Sequence, residues 1–129
     1  MTSSNKPHIL YVEDHRDTYT FMEMLLRQES FEVTVVQTAA AAWEIAQEQH
    51  FDLFLLDYVL SDASGLTLCR RIRERYPKTP IVFYTGYAHP DDKALGLAAG
   101  ATAYYPKPYE PPLLIQHLKE LLEGKSDPR

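Results

Sequence analysis

Five residues carry the chemical interest of this chain: Glu13 and Asp14, Asp57, Thr85 and Lys107. Each stands at the end of, or just beyond, a short apolar run rich in β-branched or aromatic residues. Gathered at one place, the three carboxylates would repel and raise one another's pKa unless a cation neutralised them. Mg2+ suits such a set, because it is a hard ion that prefers oxygen and needs only one or two carboxylates beside its waters. With no His or Cys in the set, zinc and copper are poor candidates. A carboxylate flanked by a divalent ion, a hydroxyl and an ammonium is equipped to accept a phosphoryl group itself. Asp57 is then the expected nucleophile, Asp14 the main metal carboxylate and Glu13 a metal ligand or water-holder. Thr85 would donate a hydroxyl to one phosphoryl oxygen and Lys107 supply a point charge to another. Gly86 presents no side chain to crowd the incoming group.

These residues act together only if the segments between them bring strand ends to one edge. The run from Phe51 to Leu56, closed by Asp57 and followed by the turn-forming Ser61-Asp62-Ala63-Ser64-Gly65, reads as a strand buried on both faces. His8 to Val12 is a similar run that stops at Glu13-Asp14. Helical spacing then takes over, with Phe21 and Leu25, and Met22 and Leu26, as the apolar stripe through about Glu29. Asp14 is the expected N-cap of that helix, with Asp17 three residues on as a short capping-box partner. Phe31 to Val36 predicts a second strand, and Thr38 caps an alanine-rich helix over Ala39 to Gln49 that carries Trp43 as a packing residue. Leu66, Cys69, Ile72 and Tyr76 mark a third helix stopped at Pro77.

Pro80 to Tyr84 predicts a fourth strand ending at Thr85-Gly86. Pro90 then opens a helix whose first turn carries Asp91 and Asp92 and which stops at Gly100. Its small, weakly apolar content makes it the expected least firmly packed helix. Thr102 to Tyr105 is a fifth strand closed by Pro106-Lys107-Pro108, and Pro111 opens a last helix with an apolar stripe of Leu114, Leu118, Leu121 and Leu122. Alternating strands and helices in such short units predict an α/β fold with a parallel sheet and right-handed crossovers. The order 2-1-3-4-5 of the flavodoxin-like (βα)5 class then puts the ends of the first and third strands side by side at the topological switch point. One domain is expected over residues 8–123, with 1–7 a disordered tail and 124–129 frayed.

Composition is that of a water-soluble globular protein, 45% hydrophobic and 24% charged, and 18 acidic against 13 basic residues give a net charge of -5. That balance argues against non-specific nucleic-acid binding. The basic segment Arg70, Arg71, Arg73, Arg75 and Lys78 reads as the solvated face of a helix ending in positive charge. Cys69, the only cysteine, excludes an internal disulfide and reads as a small core residue. No signal peptide or run of membrane-spanning length is present in the sequence, so the expected location is the cytoplasm.

The Glu13-Asp14 pair, Asp57 after its apolar strand, Thr85-Gly86 and Lys107-Pro108, in that order and at those intervals, resemble the response-regulator receiver domains of two-component signalling over about His8 to Glu123. The resemblance implies phosphoryl transfer from a phosphohistidine on a sensor kinase or phosphotransfer protein to Asp57. It implies Mg2+ held by Asp14, Asp57 and the backbone carbonyl of Val59. It also implies a switch in which the Thr85 hydroxyl moves toward the phosphoryl group and Tyr104 turns inward, altering the surface of the fourth helix, fifth strand and fifth helix. Strand propensity alone would leave Tyr104 half-buried on an edge strand. The Lys107-Pro108 bond is often cis in the family. Ser61 stands where such domains usually carry proline, which predicts a looser loop after the acceptor. Val59 and Tyr87 occupy positions that set the dephosphorylation rate in the family, and their water-poor side chains predict a long-lived phosphorylated state.

Such a domain is a signalling phosphoacceptor that assists its own phosphorylation and dephosphorylation, rather than an enzyme. Its expected partners are a histidine kinase or phosphotransfer protein and a downstream protein target, with no direct nucleic acid or membrane contact, as a monomer or a phosphorylation-dependent homodimer. No DNA-binding helix pair or catalytic output domain is expected within these residues. An FMN or nucleotide binder would need a phosphate-cradling loop after the first strand, where Glu13-Asp14 would instead repel phosphate. An aspartate-nucleophile phosphatase needs a second acid two residues after the nucleophile, where Val59 stands. A degenerate receiver serving only as an interaction module is the remaining alternative.

Overall fold

A computed structural model describes residues 6–107 and 110–124 of the chain. The elements run β1 (His8–Val12), α1 (Arg16–Gln28), β2 (Glu32–Val36), α2 (Ala39–Glu48), β3 (Leu53–Leu56), α3 (Gly65–Arg75), β4 (Ile81–Thr85), α4 (Pro90–Ala98), β5 (Ala103–Pro106) and α5 (Pro111–Gly124). The strands form one parallel sheet in the order β2-β1-β3-β4-β5. The parallel sheet is what the alternation of runs predicts, and the order is the one expected for the flavodoxin-like class.

Strand side chains alternate between two cores, as the pleat requires. Leu10, Val12, Phe54, Leu56 and Phe83 meet α2, α3 and the end of α4 on one face. Ile9, Tyr11, Leu53, Leu55 and Val82 meet Met22 and Leu26 of α1 and Leu114, Ile115 and Leu118 of α5 on the other. Burial of both faces explains why β3 reads as an uninterrupted Leu-Phe-Leu-Leu run. Cys69 is buried in the first core, as expected, and burial pushes its thiol up to about 11.

Helix ends follow the capping chemistry with one correction. Thr38 caps α2 by accepting from the Ala41 amide, and Pro90 begins α4. The cap of α1, however, is His15 rather than Asp14: its ring accepts from the Thr18 amide and its backbone is extended. Asp14 still belongs to the turn leaving β1, because the Glu13 carboxylate takes the His15 amide at 3.0 Å and delays the helix by one residue. The apolar stripe of α1 is also displaced. Met22 and Leu26 are buried, whereas Phe21, a third of a turn away, is 50% exposed.

Arg73 departs from the solvated face expected for the basic segment. Its guanidinium donates to the carbonyls of Gly100, Tyr76 and Thr79, closing the ends of α3 and α4 against each other. Arg71 instead lies over the half-buried Trp43 ring at 4.2 Å, so this residue too is a packing group as well as a charge. Helix α4 buries only Gly96 within its own span, which agrees with its expected loose packing.

Candidate functional site

The parallel register delivers the acidic residues to one place. Val12 pairs with Leu56, and the ladder continues as the Asp57 amide donates to the Val12 carbonyl at 3.1 Å. Glu13 is anchored on the other side by its amide on the Val36 carbonyl, also at 3.1 Å. Glu13, Asp14 and Asp57 thereby each offer a carboxylate oxygen within 4.8 Å of the others. Asp14 is exposed, Asp57 half-buried and Glu13 only 1% exposed.

Lys107 reaches the same pocket from the far side of the sheet. Its amide donates to the Thr85 carbonyl at 2.5 Å, extending the pairing of β4 with β5. The side chain then crosses the Tyr84 ring, 5.3 Å from its centroid, and places Nζ 2.7 Å from Glu13 and 3.6 Å from Asp57. Burial holds the Glu13 carboxyl above its ordinary range; the Lys107 hydrogen bond opposes that rise and the Asp57 charge adds to it. Three clustered carboxylates, all oxygen donors, with one ammonium between two of them, form a donor set for a hard divalent cation. His15, the nearest imidazole in sequence, is committed to its helix cap through Thr18.

The backbone beyond Asp57 is firmly held. Its carboxylate accepts from the Tyr58 amide at 2.6 Å, the Gly65 amide returns to the Tyr58 carbonyl at 2.6 Å, and Val59 bridges to Ser64. A Cβ on Gly65 would lie 2.1 Å from the Asp57 carbonyl oxygen, so only glycine fits where the loop closes. The looser loop predicted from Ser61 is therefore not found. Asp62, the next residue, explains why: its two carboxylate oxygens accept from the Ala39 and Ala40 amides at 2.8 and 3.0 Å, pinning the loop to the N-terminus of α2. Those hydrogen bonds hold its carboxyl below the usual range. Sequence reasoning took Asp62 only as a turn former; Asp in a turn opposite a predicted helix start was the available signal.

Thr85 and Tyr104 lie on the other half of the edge. Thr85 is buried at the end of β4, and its hydroxyl accepts from the Tyr87 amide at 3.3 Å. Tyr104 is not half-buried on its edge strand. It is 4% exposed, and its hydroxyl donates to the Tyr87 carbonyl at 2.5 Å. Gly86 is open, with nothing within 4 Å of a Cβ built on it. The Lys107-Pro108 peptide lies outside the described residues, since Pro108 is not among them.

A doubly wound domain with an acidic pocket at its switch point and a lysine reaching in from the last strand defines a narrow class. The chain belongs to the response regulator receiver domain family, whose model matches residues 9–119. The regulatory protein VanR of Enterococcus faecium is 37% identical over 114 residues, which is 88% of this chain and 49% of VanR. The chain spans about half the length of the curated relatives it matches. Among solved structures, a CheY-like receiver domain protein from Methanospirillum hungatei superposes with a TM-score of 0.90 at 30% identity, covering 95% of this chain and 98% of that one. The receiver domain of a sensor histidine kinase from Pseudomonas aeruginosa PAO1, with a magnesium ion coordinated in its active site cleft, gives a TM-score of 0.84 at 30% identity over 92% of this chain and 98% of that one.

Proposed function

We propose that this receiver accepts a phosphoryl group on Asp57 from a phosphohistidine of a sensor kinase or phosphotransfer protein, with Mg2+ bound in the acidic pocket. The observation that carries this reading is the meeting of Glu13, Asp14, Asp57 and Lys107 Nζ at the sheet's switch point. A carboxylate oxygen of Asp57 attacks phosphorus, the phosphorus to nitrogen bond breaks, and the imidazole leaves with the bonding pair. Lys107 stands ready to neutralise one phosphoryl oxygen, exchanging part of its contact with Glu13 for it. The Thr85 hydroxyl, freed from the Tyr87 amide, supplies a second donor.

Asp14, Asp57 and the Val59 carbonyl would hold the ion, with Glu13 behind them as ligand or water-holder. When bound, Mg2+ supplies positive charge against the equatorial oxygens and screens the carboxylates from one another. The domain in this reading assists its own phosphorylation and hydrolysis without turning over a separate substrate. It works in the cytoplasm, alone or as the receiving part of a longer regulator, and passes the signal to a protein target through α4, β5 and α5. Val59 and Tyr87 stand two residues past Asp57 and Thr85 and are 45% and 48% exposed; in this reading their apolar surface hinders the water that would hydrolyse the acyl phosphate. A phosphorylated state outlasting minutes is expected; a half-life of seconds with Mg2+ present would contradict that shielding role.

The direct test is the intact mass of the protein after incubation with Mg2+ and a small acyl-phosphate donor. One added phosphoryl unit, lost when Mg2+ is chelated beforehand, is the expected result. No added mass would support the alternative of a receiver acting only as an interaction module.

A further inference from the structure

Three tyrosines span the distance from the acceptor to β5. Tyr58 follows Asp57 and gives its amide to the acceptor carboxylate at 2.6 Å. Its ring lies flat on the Tyr87 ring, centroids 5.3 Å apart and planes 4° apart. The same ring meets the Tyr104 ring edge-on at 6.3 Å and Phe83 at 5.9 Å. Tyr104 completes the set through its hydroxyl on the Tyr87 carbonyl. Gly96 makes room for it, since a Cβ there would lie 2.8 Å from Tyr104 Cδ2.

We propose that the stacked Tyr58 and Tyr87 rings are a latch, two positioning residues that hold Tyr104 inward before any phosphoryl group is present. For Tyr104 to leave, it must give up its hydrogen bond, expose a buried ring and open a void against Gly96 and Phe83. Each of these keeps the inward state dominant, and the stack adds a further shift on the order of twofold to tenfold by fixing where the Tyr87 carbonyl points. The loop from Thr85 to His89 and the Tyr104 ring then move as one body with the residue next to the acceptor. Signalling would proceed by displacing this assembly against α4 rather than by rotating a free tyrosine. That regulatory meaning rests on phosphorylation of Asp57; the latch itself does not.

Fluorine NMR of the full chain labelled with 3-fluorotyrosine tests it, with the Tyr104 resonance assigned by its loss in Tyr104→Phe. The unmodified protein, free of Mg2+, should show one Tyr104 resonance with no solvent isotope shift, unchanged when Mg2+ and beryllofluoride are added. Tyr87→Ala, which keeps the carbonyl and removes the ring, should add a solvent-exposed Tyr104 signal at least several-fold above any in the parent. Tyr58→Leu should do the same, and Tyr87→Phe should restore the single shielded signal. Gly96→Ala approaches the ring from the opposite side and should also drive it outward, so the outcome does not depend on one variant folding. Two Tyr104 signals in the parent that merge only on adding beryllofluoride, or a Tyr87→Ala spectrum identical to the parent's, would overturn the latch. Absence of a protein-bound beryllofluoride signal would instead overturn the phosphoacceptor reading, leaving the latch to be judged on the Mg2+-free spectra.

Discussion

The two halves of the sheet's carboxyl edge are built from opposite materials. Between β1 and β3 the side chains are charged and close: Glu13, Asp14 and Asp57, with Lys107 laid across them. Between β4 and β5 they are rings: Tyr58 on Tyr87, with Phe83 and Tyr104 beneath. The charged half is held by mutual attraction and repulsion, so its state should follow cations and phosphoryl groups. Packing and one short hydrogen bond hold the aromatic half, which should be indifferent to ions and answer only to movement of the loop between β4 and α4.

The sharpest way to break that contrast is Lys107→Ala. Glu13 would be left buried without its ammonium, and Mg2+-free urea unfolding should show a loss of about 3 kcal/mol, most of it regained at saturating Mg2+. Equal loss with and without the ion would erase the distinction between the halves. Gly65→Ala forces a methyl into the Asp57 carbonyl, a backbone atom that cannot step aside. It should cost about 2–3 kcal/mol and suppress phosphoryl incorporation, read by intact mass. In the aromatic half, Tyr104→Phe removes the hydrogen bond to the Tyr87 carbonyl and should cost about 1 kcal/mol, the same at every Mg2+ concentration.

Two smaller effects refine the picture. Tyr11 is fully buried behind the acidic pocket, and its hydroxyl has no hydrogen-bond partner among the described residues. Tyr11→Phe should therefore raise stability by about 1 kcal/mol in the same unfolding assay. Asp62 has a carboxyl held below its ordinary value of 3.8 by the Ala39 and Ala40 amides. A depressed folded pKa means stabilisation that is complete above the unfolded value and lost as pH falls through the folded one. The stability gap between the parent and Asp62→Asn should thus be level from neutral pH down to about pH 4 and close below it.

How much of this was legible depends on where each residue's partners lie along the chain. The strands and their terminal residues could be read directly, because a buried parallel strand is a local apolar run and Glu13, Asp57, Thr85 and Lys107 each close one. The order of strands came with the fold class rather than from any residue. Arg73 could not be read: its acceptors are set by where α3 and α4 end relative to each other, and its sequence neighbours mark a solvated helix. Asp62 and the tyrosine stack were hidden for the same reason, since Ala39 is 23 residues from Asp62 and Tyr87 contributes a carbonyl that any residue could offer. Phe21 was misplaced because two overlapping helical stripes fit α1, and only packing against the sheet and α5 selects Met22 and Leu26.

Of the three neighbouring carboxylates, only Asp57 is proposed to carry the phosphoryl group. Borohydride reduction of the phosphorylated protein, followed by mass mapping of its peptides, reads that position. Reductive conversion is expected at position 57 and at no other residue. Conversion at Asp14 or Glu13, or an unreduced Asp57 in protein whose intact mass has risen, would contradict it.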